Sequence, residues 1–75
     1  MKRYRNLSGD SGVVAYAFGP ESVIVRFQDG RNYVYTAQSV GAPAIEKMKR
    51  LAKAGRGLST YISQEVKDKY ARKFR

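Results

Sequence analysis

The chain has no cysteine, no histidine and no tryptophan. Without thiols or imidazoles it can build no disulfide, no thiolate nucleophile, no imidazole base and no Cys/His zinc site. Acidic residues are scarce as well: Asp10, Glu21, Asp29, Glu46, Glu65 and Asp68 are all there are. No two of them are spaced as a general acid/base dyad, and the serines have no histidine to activate them. Long apolar runs are missing too. The longest, Val13 to Phe18, is shorter than the ~7–15 residues of a secretory signal core and far below the ~20 of a membrane span. There are no internal repeats. These absences predict a non-catalytic domain with no cofactor and no metal, no membrane as partner, and a cytoplasmic location.

What is present is positive charge. Fifteen Lys and Arg give 75 residues a formal charge of +9, which lies above the usual range for a small domain's solubility. The length fits one domain over residues 1–75, burying only about 60% of the surface its unfolded chain exposes. The charge is unevenly placed. Residues 1–46 carry five basic and four acidic side chains, whereas residues 47–75 carry ten and two. Three of the first five are Lys2, Arg3 and Arg5, so residues 1–10 read as a basic N-terminal arm and 71–75 as a basic C-terminal tail. Such asymmetry points to a polyanionic partner.

Three strand patterns come first. Val13 to Phe18 alternates large and small residues and closes on Gly19-Pro20-Glu21-Ser22, a turn signal. Val23 to Gln28 and Arg31 to Thr36 flank Asp29-Gly30, the strongest short-range hairpin signal. A two-residue turn there places Arg26 opposite Tyr33, Val25 opposite Val34 and Ile24 opposite Tyr35. Period-two alternation then predicts a core face of Val14, Tyr16, Phe18, Val23, Val25, Phe27 and Val34. Ile24, Arg26, Gln28, Arg31, Tyr33 and Tyr35 fall on the other face.

Two helices follow. Gly41-Ala42-Pro43 feeds a helix with proline in its first turn, and Ile45, Met48, Leu51 and Ala52 form one apolar stripe. Gly55, alone or with Gly57, supplies a left-handed stop. Ser59 or Thr60 is the expected N-cap of the second helix, whose buried side steps through Leu58, Ile62, Val66 and Tyr70. The expected fold is α+β: a three-stranded antiparallel β-meander followed by two helices packed on one face (βββαα).

This arrangement resembles the KTSC domain, named after a C-terminal extension of some lysyl-tRNA synthetases and also found as stand-alone bacterial and phage-type proteins. The motifs that carry the resemblance are Tyr16, Val25-x-Phe27-x-x-Gly30, Tyr33-Val34-Tyr35, the Ala52/Ala54 helix end, Gly55-Arg56 and Ile62 through Tyr70. The chain departs from the family's pattern at Val40-Gly41-Ala42-Pro43, where many members carry Val-Pro, and at Gly57-Leu58-Ser59-Thr60. The resemblance implies RNA binding, suggested for the family by its association with a tRNA synthetase.

The residues themselves point to two candidate surfaces for nucleic acid, RNA ahead of DNA. On the sheet, Tyr33 and Tyr35 lie about 7 Å apart along one strand, with Arg26 and Arg31 beside them, an arrangement suited to holding stacked bases of a single strand. Tyrosines two apart on a strand can equally be core or sheet-stabilising residues. On the helices, Lys47, Lys49, Arg50, Lys53 and Arg56 form one cationic cluster and Lys67, Lys69, Arg72, Lys73 and Arg75 another. Six phosphate contacts from such residues would give log K a slope of roughly −5 against log[salt] on duplex DNA. The competing reading is an accessory module that docks an acidic protein surface, or simply a solvated helix face with a basic tail.

Overall fold

The computed structural model describes residues 1–7, 9 and 11–75; Ser8 and Asp10 lie outside the described residues. The fold is α+β, as expected, but the antiparallel sheet has five strands in the order β1-β2-β3-β4-β5. These are β1 (Lys2–Arg3), β2 (Val13–Gly19), β3 (Ser22–Phe27), β4 (Asn32–Thr36) and β5 (Arg72–Phe74). Between β4 and β5 run α1 (Ala37–Val40), α2 (Ala42–Ala54) and α3 (Leu58–Tyr61), the last continuing into a π-helical segment, Ile62–Val66.

The two outer strands bring into the sheet part of the expected basic N-terminal arm and part of the expected basic C-terminal tail. Lys2 and Arg3 pair with Tyr16 and Ala15, and Arg72, Lys73 and Phe74 pair with Val34, Tyr33 and Asn32. Two or three residues of Lys, Arg and Phe carry almost no strand signal of their own. What recruits them is the unpaired edge of β2 or β4, whose N–H and C=O groups need partners. Tyr4 secures the N-terminal segment: it is buried in the core, its N–H donates to the Val14 carbonyl at 3.0 Å, and its hydroxyl oxygen accepts from the Leu58 N–H at 3.3 Å.

The Gly19–Ser22 turn forms as expected and sets Phe18 opposite Val23 and Tyr16 opposite Val25. A bulge between Val13 and Ala15 then reverses the faces at the start of β2. Val13 is buried (1% exposed) and Val14 turns outward (38%), because an extra residue in one strand shifts all that precede it.

The second hairpin departs from expectation by one residue. Val25 faces Tyr33, Ile24 faces Val34 and Val23 faces Tyr35. The loop has three residues, Gln28-Asp29-Gly30: the Phe27 N–H donates to the Arg31 carbonyl and the Gly30 N–H to the Phe27 carbonyl, both at 2.9 Å. Gly30 takes φ +87°, the left-handed position that closes a three-residue hairpin. A one-residue slip moves every side chain of a strand to the other face. Tyr33 and Tyr35 therefore join the core side, and Val34 leaves it. Filling the core with an aromatic ring rather than with Val34 buries far more apolar area, and Gly30 lets the longer loop form without strain.

The core lies between this sheet face and the helices. Val23, Val25, Tyr16 and Tyr35 meet Ile45, Met48 and Ala52 of α2 and Leu58, Ile62 and Val66 beyond it. Pro43 sits in the first turn of α2, and Gly55 ends the helix at φ +78°. A side chain at Gly55 would also meet the Arg5 Cβ at 2.9 Å, so conformation and space both select glycine. Two features were not foreseen. α1 is held by reciprocal Thr36–Ser39 capping hydrogen bonds, and α3 begins at Leu58 behind Gly57 rather than after Ser59 or Thr60. Tyr70 lies past the helical segment and packs half-buried against the core.

Candidate nucleic-acid interface

The expected tyrosine platform does not exist in the form the turn implied. Tyr35 is fully buried (0% exposed), and its O–H donates to the Lys67 carbonyl at 3.2 Å. Burial, with smaller contributions from Tyr33, Tyr70 and Asp68, pushes its phenol pKa up to about 12. Tyr33 is half-buried on the same side. Its ring stacks on Tyr70 at 5.0 Å and meets Phe27 edge-on at 5.2 Å, so the ring is engaged within the protein. Arg26, expected opposite Tyr33, is paired instead with Asn32.

The sheet face turned away from the helices is formed by the alternate residues. Ala15, Ala17, Ile24 and Val34 are half-buried there and belong to neither the core nor its packed periphery. By register, Arg3, Arg26, Arg72 and Phe74 share that face. Arg26 Nε donates to Asn32 Oδ1 at 3.0 Å, Asn32 Nδ2 approaches the Phe74 carbonyl at 3.4 Å, and the Arg72 guanidinium lies 5.2 Å from the centre of the Phe74 ring. Arg31, Lys73, Phe74 and Arg75 line a depression of about 270 Å³ at this edge. Arg31 also meets Asp29 at 3.6 Å, the one ion pair among the described residues.

A second cationic group gathers on the helix side, at the opposite edge of the sheet. Lys49 and Lys53 project from α2 so that each ammonium lies 5.8 Å from the centre of the Phe18 ring. Lys49 Nζ donates to the Pro20 carbonyl at 3.2 Å. Phe18 stacks on Tyr16 at 5.1 Å yet remains 38% exposed. The alternation correctly puts Phe18 on the helix side, but the helices do not extend over that end of β2. Met1, Lys2, Tyr16, Ala17, Phe18 and Lys53 line a cleft of about 430 Å³ here.

The sequence candidates thus separate. Lys49 and Lys53 come together around Phe18, while Arg26, Arg31, Arg72 and Lys73 come together around Asn32 and Phe74. Lys73 also lies 5.8 Å from the Tyr70 ring. Lys47, Arg50, Arg56, Lys67 and Lys69 are exposed, and no side-chain hydrogen bond or ring contact joins them to either group among the described residues. Sequence reading missed Lys2, Arg3, Phe18 and Phe74. The strand pattern gave no sign of which aromatic the helices leave uncovered, and the terminal cations are placed only by edge pairing.

Among the described residues no three His, Cys, Asp or Glu side chains gather as a metal site, and no helix is long and apolar enough to cross a membrane. Comparison of the chain with protein-family models, curated proteins and solved structures finds no significant match in any of the three.

Proposed function

We propose that this domain binds nucleic acid without catalysis, RNA or another single strand in preference to duplex, through its basic helical surface and the arginine-bearing open face of the sheet. The observation that carries the reading is the imbalance of surface charge: among the described residues a single ion pair answers fifteen Lys and Arg side chains. Cations without a carboxylate partner are available to phosphates, whose neutralisation supplies a large share of the affinity for nucleic acid. Both cationic groups also enclose a part-exposed aromatic ring, Phe18 or Phe74, the combination that single-strand binders use to hold backbone and base together. The motif resemblance to KTSC domains runs in the same direction, and a cytoplasmic location belongs to the same proposal.

The test is titration of isotope-labelled protein with single-stranded RNA, duplex DNA and dextran sulfate at low and near-physiological salt. Single-stranded RNA is expected to shift amides around Phe18 or Phe74 and to retain part of that response at the higher salt. Equal responses to all three polymers that vanish with salt would mean generic polyanion attraction and would overturn the proposal.

A further inference from the structure

Phe18 is not buried as its place on the predicted core face implies. It stands in a run of apolar strand residues, on the face that forms the core, and yet it is 38% exposed. Two features leave it open. β1 pairs only as far as Lys2 with Tyr16, so it does not cover the far end of β2. α2 meets the ring with the ammonium ends of Lys49 and Lys53. One side of the ring is supported by Tyr16 at 5.1 Å and an interplanar angle of 29°, which fixes its orientation. The ring adjoins a cleft of about 430 Å³, within the ~300–1,000 Å³ of small-ligand sites.

The chemistry of the lining is specific. It offers aromatic and aliphatic surface from Phe18, Tyr16, Ala17 and Met1, ammonium groups from Lys2 and Lys53, and no carboxylate. Lys49 adds a third ammonium beside the ring. Among the described residues, none of these three lysines has a salt-bridge partner. Lys2 and Lys53 are exposed and Lys49 half-buried. The ring contacts of Lys49 and Lys53 are weak, and the Lys49 hydrogen bond to the Pro20 carbonyl holds its ammonium beside the ring while leaving it further N–H donors for an anion. A flat apolar surface ringed by ammonium groups matches a flat, uncharged ring attached to a phosphodiester.

We infer that the Phe18 cleft is a subsite for one unstacked nucleotide of single-stranded RNA. The base lies against the exposed part of the Phe18 ring, and the flanking phosphates are met by Lys49, Lys53 and Lys2. This inference rests on the nucleic-acid reading above and deepens it by naming where a base is held. A duplex cannot use the subsite, because its bases are stacked within the helix.

Binding of a short, unstructured, labelled RNA and of a duplex of equal length would be compared for the wild type and Phe18→Leu, which keeps apolar bulk but removes the flat ring. The expected result is about a five-fold or greater loss of RNA affinity, with the salt slope and duplex affinity unchanged. The Lys49→Gln/Lys53→Gln double variant is expected to reduce the single-strand salt slope by about 1.4. On the wild type itself, Phe18 ring resonances are expected to move with the RNA and not with an abasic strand of the same charge, a readout independent of how the variants fold. Ring resonances that respond equally to the abasic strand, or a folded Phe18→Leu that binds RNA as well as wild type, would overturn the subsite and leave the proposed function standing. Failure of the wild type to bind either nucleic acid would overturn both.

Discussion

The hydroxyl of Tyr35 donates to the carbonyl of Lys67 at 3.2 Å, joining the C-terminal end of β4 to the residue that caps the π-helical segment. The Lys67 N–H in turn donates to the Ile62 carbonyl, and Lys67 takes φ +36°. This contact gives the buried phenol its partner, so that the ring can occupy the core without leaving a polar atom unsatisfied. It also fixes where the chain turns back toward β5.

Tyr35→Phe is expected to keep the fold and lower its stability by about 1 kcal/mol, the net value of a typical hydrogen bond with allowance for the carbonyl left behind. Chemical denaturation of the two proteins at neutral pH checks this. An unchanged midpoint would mean that water replaces the phenol at no cost.

The same residue sets a pH dependence. Its phenol is neutral when protonated, and its folded-state pKa is raised from 10.0 to about 12. Below pH 10 both folded and unfolded states hold the proton, and the stabilisation is fully present. As pH rises through this window the unfolded chain releases the proton first. Stability is therefore lost from about pH 10 and levels off above about pH 12, with a slope approaching 1.4 kcal/mol per pH unit. The difference between wild type and Tyr35→Phe across that range isolates this group from the other tyrosines and lysines. Parallel profiles would show that Tyr35 does not contribute.

Gly55→Ala is expected to destabilise by about 1–3 kcal/mol, because alanine is disfavoured at φ +78° and its methyl would press on Arg5. Gly30→Asn makes the contrast. Nothing lies within 4 Å of a side chain added at Gly30, and asparagine tolerates left-handed backbone, so only a few tenths of a kcal/mol should be lost. Thermal melts of both variants decide the matter, and equal losses would contradict the crowding at Gly55.

Tyr4→Ala is expected to cost about 3–5 kcal/mol, as for other buried aromatics cut to alanine. For a domain this small that is most of the stability available. A variant that melts like wild type would show that the N-terminal segment is an arm after all.

Asn32 is 1% exposed and accepts from Arg26 while its amide approaches the Gly30 and Phe74 carbonyls. Asn32→Ala should loosen the hairpin loop and β5 together, at about 1–3 kcal/mol. Faster amide exchange in β5 and at Gly30, with β2 unaffected, is the expected pattern. Uniform acceleration across the sheet would argue against a local tie.

Local chemistry was enough to read the α+β class, the Gly19–Ser22 turn, the apolar stripe of α2, its stop at Gly55 and the buried Leu58–Ile62–Val66 series. Each depends on a period or a backbone preference that neighbouring residues carry. The concentration of positive charge in residues 47–75 is equally a property of the chain alone. The tertiary structure decided what those local rules leave open. Asp29-Gly30 permits a two- or a three-residue loop, and the larger burial of Tyr33 and Tyr35 selected the three-residue form, moving both tyrosines from a candidate binding face into the core side. Open strand edges turned the basic termini into β1 and β5, and the limited reach of the helices left Phe18 exposed among lysines. Local preference sets which elements can form, whereas register, edge pairing and exposure depend on how much surface distant residues bury together.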